Sequence, residues 1–225
     1  MQYELLLEEV KKQLKSERDA ARRLFEREAA HYPEIQSDFM GCDGNVSGIV
    51  AHRGRLSDLT VLSAIDDDAP EQDFWSEVRD GAIFHSARPI VVTPREADVP
   101  DTLGETVVIA WKDSVESARA IGAARPFIVR AKMVHVVTAG TDGADEESIK
   151  DLEDYLSLYN SDIEVHVVGR NKRNVAELLA TQAAQYPDAL MVMGAYSQWR
   201  WKEWAFGGVT EYMLREAPVP VLMMH

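Results

Sequence analysis

Short apolar runs rich in Val, Ile, Leu and Met alternate with segments of helical periodicity throughout the second half of the chain. Near-continuous apolar runs are typical of parallel strands buried on both faces, and their alternation with helices predicts an α/β domain of βαβ units. Five strands are predicted, at 106–111, 132–138, 162–168, 189–194 and 220–224. The helices are predicted at 114–129, 144–159, 174–185 and 207–217.

The first half repeats only part of this pattern. It begins with an amphipathic helix in which apolar residues recur at steps of three, four and seven, namely Leu7, Val10, Leu14, Ala21 and Leu24. Packing on its own domain is the preferred interpretation over a coiled coil, because Glu17 and Glu28 interrupt the stripe. The predicted elements that follow are a short strand near 37–41, a helix over 46–53, a strand over 59–65, a helix over 74–84 and a strand over 89–94.

The two halves end alike, with SARPIVVTP in the first and EAPVPVLMMH in the second. Each of these segments is a helix end, a proline and a terminal strand, which indicates an internal repeat. The acidic segment ADVPDTLGE, with its two prolines and a glycine, is the predicted linker. We therefore expect a partial domain over 1–96, a linker over 97–105 and a complete domain over 106–225.

The formal net charge of −14 tells against nucleic acid or an anionic membrane surface as a partner. No apolar run approaches the roughly 20 residues of a membrane helix, and the charged N-terminal segment does not have the pattern of a signal peptide. The single cysteine, Cys42, allows no intramolecular disulfide and is expected to be an inert thiol. A cytoplasmic location is the resulting expectation.

Two segments of the second half carry a family resemblance. LMVMGAYSQWRWKEWAFGGVTEYMLREAPVPVLMMH at 190–225 and TVVIAWKDSVESARAIG at 106–122 resemble the universal stress protein family in its tandem form. The resemblance spans 105–225 and covers the first half loosely. It implies a five-stranded parallel sheet of the adenine nucleotide alpha hydrolase type, with strand order 3-2-1-4-5 and the last strand at an edge.

The same resemblance leaves the first half without its first two strands, because alignment places Met1 at the second helix. A truncated or mis-started first domain is the preferred interpretation. The alternative is that another element or subunit covers the strand edge that would otherwise be bare.

In nucleotide-binding members the resemblance implies a phosphate loop with the pattern glycine, two residues, glycine, nine residues, glycine, then serine or threonine. Glycines let backbone N–H groups approach phosphate, and the helix start that follows adds a favourable dipole. The matching positions here are Gly194, Ser197, Gly207 and Gly208, with Thr210 two residues on. Ser197 replaces the second glycine of the pattern, and Gly208 replaces the serine or threonine. Together these two departures predict an affinity for nucleotide roughly 10- to 300-fold lower than that of the full pattern.

Other positions complete this predicted nucleotide site. At the end of the first strand, where the family usually has an aspartate, stands Lys112, with Asp113 one place later. Lys112 is interpreted as a surface residue or, alternatively, as a phosphate contact. Trp199, Trp201 and Trp204 are expected to pack rather than stack on a base. The predicted nucleotide-binding residues are Ala110, Lys112, Met193, Gly194, Ser197, Gly207, Gly208, Val209 and Thr210.

Catalytic and metal signals are sparse. The motifs of P-loop, dinucleotide, serine hydrolase and zinc protease sites are missing from the sequence. Asp66, Asp67 and Asp68 are interpreted as a solvated acidic loop rather than a cation site. His135 and His166 lie in mid-strand and are expected to be ordinary core or face histidines, although they could meet across the sheet. No catalytic or metal-binding residue is predicted.

Three functions stay open. The first is a stress-response protein that binds ATP or AMP weakly, with or without Mg²⁺, and is not a classical enzyme. The second is a nucleotide-independent dimeric interaction protein, and the third, weaker one is a slow nucleotide hydrolase, which would need a positioned base. The resemblance also implies a homodimer that pairs through the C-terminal edge strand, at Val219, Val221 and Met223.

Overall fold

The computed structural model describes residues 2–64, 72–95, 102–140, 144–169, 175–186, 188–196 and 208–225. The chain divides into two compact units, Met1–Gly44 and Asn45–His225, which are taken separately below. Residues 97–101 of the predicted linker lie outside the described residues, as do the three adjacent aspartates. The predicted division at 97–105 therefore stays a prediction.

The first unit consists of the predicted long helix, α1 (Gln2–Ala29), and the segment that follows it. Helix α1 exposes apolar residues, with Val10, Leu14 and Leu24 each about half accessible. The strand predicted near 37–41 is wrong, because these residues form no ladder and are irregular. Phe39 instead packs back on α1, with its ring 5.7 Å from that of Phe25 and under the Arg22 guanidinium.

The second unit is a single seven-stranded sheet with helices on both faces. Its strands are β1 (Thr60–Ser63), β2 (Ile90–Thr93), β3 (Thr106–Trp111), β4 (Met133–Gly140), β5 (Ile163–Gly169), β6 (Ala189–Gly194) and β7 (Val221–Met224). Its helices are α2 (Val46–Gly54), α3 (Gln72–His85), α4 (Val115–Ile128), α5 (Ala144–Ser157), α6 (Val175–Ala183) and α7 (Gly208–Glu216). The α/β class is therefore confirmed, with seven strands in one sheet where the resemblance implied a sheet of five.

The five strands of the second half are all parallel to one another and have the implied order. Strand β3 lies between β4 and β6, with β5 outside β4 and β7 outside β6. Numbered within this half, the order is 3-2-1-4-5. The match is close because these strands are largely apolar: β3 and β6 have the predicted bounds, and Val107, Val108, Val134, Leu190 and Met191 are fully buried.

The two strands of the first half extend this sheet instead of forming one of their own. Strand β2 is parallel to β1 and antiparallel to β7, with Ile90 opposite Met223 and Val92 opposite Val221. Strand β7 is thus paired along both sides, by β6 and by β2. It occupies an interior position and not the edge that the resemblance implied.

The core has one layer on each face of the sheet. Helices α3, α6 and α7 cover one face, where Ala82, Leu179 and Met213 pack on the strands. Helices α4 and α5 cover the other, through Ile121, Ile128 and Leu156. Successive residues of β2 point into different layers, Ile90 and Val92 into the first and Val91 into the second, as the pleat of a strand requires.

Strand β1 forms one margin of the sheet among the described strands. Its side chains alternate between half-buried and exposed, and Val61 is 60% accessible. The outer side of a strand at a sheet margin offers backbone N–H and C=O groups with which a further strand can pair. As for membranes, none of the helices in the described ranges is both long and apolar enough to cross one.

Candidate functional site

A cavity of about 490 Å³ opens at the carboxyl ends of β3, β4 and β6. Strand β3 has β4 on one side and β6 on the other. From β3 the chain first adds β4 and β5 on one side and then adds β6 and β7 on the opposite side, so the cavity lies where the strand order reverses. Open α/β sheets bind their ligands at this switch point. Six of the nine predicted nucleotide residues line the cavity, namely Ala110, Lys112, Met193, Gly194, Val209 and Thr210.

The remaining three predicted residues, Ser197, Gly207 and Gly208, are not among the described residues that line the cavity. Ser197 and Gly207 lie outside the described residues, as do Trp199, Trp201 and Trp204. Gly208 begins α7 and is exposed, and a Cβ added to it would meet no atom within 4 Å. Its lack of a side chain is therefore not required by packing against any described residue.

Gly194, in contrast, is required by packing. A Cβ on Gly194 would lie 2.7 Å from the backbone nitrogen of Ser117 and 2.8 Å from the carbonyl carbon of Glu116, in the first turn of α4. The side chain of Ser114 caps that turn by accepting a hydrogen bond from the Ser117 N–H at 3.2 Å. The glycine that the sequence predicted for phosphate approach thus brings a helix N-terminus to the floor of the cavity.

The start of the loop after β6 is held by Thr210. The Tyr196 N–H donates to Thr210 Oγ1 at 3.4 Å, and Thr210 is buried. Tyr196 has a left-handed backbone with φ of 46°, an unusual conformation for a residue with a Cβ. Its hydroxyl donates to Glu211, and burial, followed by this hydrogen bond, raises the pKa of Tyr196 far above its usual value.

The wall formed by β3 and α5 includes residues that the sequence did not single out. Trp111 donates from Nε1 to Ser148 Oγ at 3.0 Å, which fixes the indole at the side of the cavity. Glu116 is buried, whereas Lys112 and Asp113 are exposed. Trp111 is the last residue of the apolar strand β3, and its place at the strand end is the sequence feature that could have marked it as a site residue.

A second arrangement lies on β4 and β5, where His135 and His166 do meet across the sheet. His135 Nδ1 lies 3.0 Å from His166 Nε2, and Glu164 lies beside both rings. The side chains share a face because His135 is directly opposite Glu164 and His166 is two residues further along β5. The sequence analysis preferred ordinary histidines and kept their meeting as the alternative, and it did not single out Glu164, because the cluster depends on strand register.

The three residues predicted for dimer pairing are buried within the chain. Val219 is 3% accessible, and Val221 and Met223 are fully buried. Both sides of β7 are occupied over Val221 to Met223 by strands of the same chain. The homodimer stays a prediction, but a second copy would need an edge other than β7.

Three comparisons place the chain among known proteins. Residues 91–225 match the model of the Universal stress protein family. No curated protein matches. A universal stress protein from Archaeoglobus fulgidus superposes with a TM-score of 0.58 at 16% identity, over 79% of this chain and 64% of that one. A putative universal stress protein from Pseudomonas aeruginosa gives 0.60 at 17% identity, over 92% and 77%.

A second Pseudomonas aeruginosa structure, described as a functionally unknown protein, gives a TM-score of 0.57 at 16% identity over the same shares of the two chains, 92% and 77%. This chain therefore spans roughly two thirds to three quarters of the length of these structures. At such identities the superpositions show the fold alone.

Proposed function

Because the chain belongs to the universal stress protein family, we propose that it is a stress-response binding protein that takes up an adenine nucleotide, ATP or AMP, weakly in the cavity at the switch point. The main support is the position of that cavity, at the carboxyl ends of β3 and β6 and beside the N-termini of α4 and α7. A helix N-terminus and exposed backbone at a switch point suit a phosphate group.

The size of the cavity is compatible with this ligand. Small-molecule sites typically enclose about 300–1,000 Å³ and combine apolar walls with a few polar groups. Here the 490 Å³ cavity has Ala110, Val137 and Leu179 among its apolar residues. Trp111 supplies an aromatic wall, and Thr138 and Ser148 supply hydroxyls.

Phosphate would lie near the start of α7. Gly208 leaves the backbone bare there, with no packing reason for the missing side chain. Lys112 is exposed just after β3 and is one of the residues that line the same cavity, so it can supply a positive charge to the phosphates. Magnesium would accompany ATP as the counterion of the phosphates.

Two features make the proposed binding weak. Gly208 stands where the resemblance implies a serine or threonine, so the hydroxyl donor of that position is lost. Glu116 and Asp113 bring two carboxylates to a cavity in which Lys112 is the cation among the described lining residues. Dissociation constants from high micromolar to millimolar are expected, equivalent to about −6 to −4 kcal/mol.

Isothermal titration of the purified full chain with ATP and with AMP, each with and without Mg²⁺, tests the proposal. Lys112→Glu should weaken nucleotide binding about tenfold, because it places a third carboxylate at the phosphates. The matched control is Lys15→Glu, the same charge change on an exposed face of α1, which should bind as the unaltered chain does. Absence of heat at millimolar nucleotide would contradict the proposal.

A nucleotide-independent interaction protein is the second candidate, and the close packing at Gly194 favours it. The glycine is already explained by its contact with α4, without any ligand. Under this second function neither ATP nor AMP binds, while the fold and its stability do not depend on nucleotide. The same titration therefore separates the two candidates.

A further inference from the structure

The cluster of His135, Glu164 and His166 lies apart from the proposed nucleotide site. His135 is two residues nearer the amino end of β4 than Val137, which lines the cavity. Within the described part of the chain these three side chains bring three potential metal-ligand atoms within 4.8 Å of one another. The cluster therefore needs an explanation of its own.

The three ligand atoms form a nearly equilateral triangle. His135 Nδ1 and His166 Nε2 are 3.0 Å apart, and Glu164 Oε2 lies 3.4 Å from the first and 3.7 Å from the second. A tetrahedral zinc ion, bound to nitrogen and oxygen at about 2.0–2.1 Å, keeps its ligand atoms about 3.3 Å apart. The three distances lie on either side of this value.

The triangle also has room for the ion. A triangle with these sides has a centre about 2.0 Å from each of its corners. An ion at zinc distances would therefore sit slightly out of the plane of the three atoms, as the ion of a tetrahedral site does. The fourth ligand would be water or a small anion, because His166 and Glu164 are partly exposed.

Hydrogen bonding alone explains the cluster less well. One proton between His135 and His166 accounts for their 3.0 Å contact. It leaves the Glu164 oxygen 3.4 and 3.7 Å from the two nitrogens, longer than the 2.7–3.2 Å of a good hydrogen bond to either. A carboxylate directed between two imidazoles is the arrangement expected around a shared cation.

The environment of His135 is that of a fixed ligand. The ring is buried and stacks on Tyr186, with ring centres 4.4 Å apart and planes 17° from parallel. Burial, more than the neighbouring His166, lowers the pKa of His135, and Glu164 opposes this. The buried, stacked ring directs its Nδ1 toward His166 and Glu164, which positions this nitrogen to bind a metal ion.

We propose that His135, Glu164 and His166 form a binding site for one divalent transition-metal ion, with zinc as the ion that the donor set suits best. Two imidazole nitrogens and one carboxylate oxygen suit zinc, whereas calcium and magnesium take sites made of oxygen. The ion would join β4 to β5 across their ladder.

Zinc titration of the untagged full chain, after EDTA treatment and dialysis, is the test. Competition with a chromophoric chelator measures the zinc affinity, and Co²⁺ absorption reports tetrahedral coordination. The test variants are Glu164→Gln and His166→Gln, which keep polar side chains at partly exposed positions. The matched controls are Glu177→Gln and His52→Gln, which change exposed residues of α6 and α2.

We expect one zinc ion per chain, a loss of affinity of about tenfold or more in each test variant, and no change in the controls. Zinc should also raise the unfolding midpoint of the unaltered chain but not of the test variants, which excludes binding elsewhere. Circular dichroism establishes that the variants are folded. Equal zinc affinity in the test variants and the unaltered chain, or no stoichiometric binding at all, would overturn the site.

Discussion

Val91 of β2 lies directly opposite Leu222 of β7, and this antiparallel pair is part of the joint between the two halves of the chain. Both residues are buried in the same core layer, the one covered by α4 and α5. Sequence-distant strands thus share one sheet and one core. The joint allows a direct measurement of how strongly the halves are coupled.

A double-mutant cycle on this pair should show coupling. Val91→Ala is expected to lower the free energy of unfolding by about 1.5–3 kcal/mol and Leu222→Ala by about 2–5 kcal/mol. Because the side chains are neighbours, the double variant should depart from additivity by about 0.5 kcal/mol or more in urea unfolding. As the control, Val91→Ala combined with Leu179→Ala, a residue of the other core layer, should be additive.

Gly194 and Gly208, two of the glycines of the predicted phosphate loop, should respond differently to substitution by alanine. Gly194→Ala should destabilise the chain by about 1–3 kcal/mol, because its Cβ would meet backbone atoms of α4 below 3.0 Å. Gly208→Ala should change stability by less than about 0.5 kcal/mol, since its Cβ meets nothing. Thermal unfolding of both variants measures the contrast, and equal effects would refute the packing role of Gly194.

Asn160 ties the end of α4 to the start of β5. Its amide donates to the carbonyls of Ile128 and Ala131 at 2.9 and 2.8 Å, and its Oδ1 accepts from the Asp162 N–H at 2.8 Å. Asn160→Ala should cost about 2–3 kcal/mol in chemical denaturation, because these buried backbone groups lose their partner. The neighbouring exposed Ser161→Ala is the control; a comparable loss there would argue against the network.

Ala87 has a left-handed backbone with φ of 56°, just after α3. Ala87→Gly should therefore stabilise the chain by about 0.5–1 kcal/mol, because the strain on Cβ outweighs the entropy cost of glycine. Ala118→Gly, at an exposed helical position of α4, should instead lose about 0.5–1 kcal/mol. Urea midpoints of the two variants should move in opposite directions, and a shift to lower urea in both would count against the strain.

The sequence predicted the second half well and the joint between the halves poorly. Strands such as β6, ALMVMG, are buried on both faces and so appear as continuous apolar runs with clear ends. The segment at 37–41 has apolar residues as well, but a strand also needs a ladder partner, which composition does not reveal. The antiparallel pairing of β2 with β7 likewise depends on a contact between residues far apart in the chain.

In the candidate sites, too, some residues could be predicted from the sequence pattern and others depend on contacts that the pattern does not show. Six residues of the cavity could be predicted, because the ends of strands and the start of α7 are visible in the pattern. The packing of Gly194 against α4 and the convergence of His135 with His166 could not, since each depends on which elements are neighbours and in which register. Residue type assigned Gly194 to phosphate approach instead of packing, and it left the meeting of the two histidines as the less favoured alternative.

The antiparallel joint between β2 and β7 also sets an order of events during synthesis. The two strands are separated by roughly 130 residues, so at 5–20 residues per second the ribosome releases β7 roughly 7 to 26 seconds after β2. Until β7 has left the ribosome, β2 therefore lacks its antiparallel partner, and Val91 lacks the contact with Leu222 in their shared core layer.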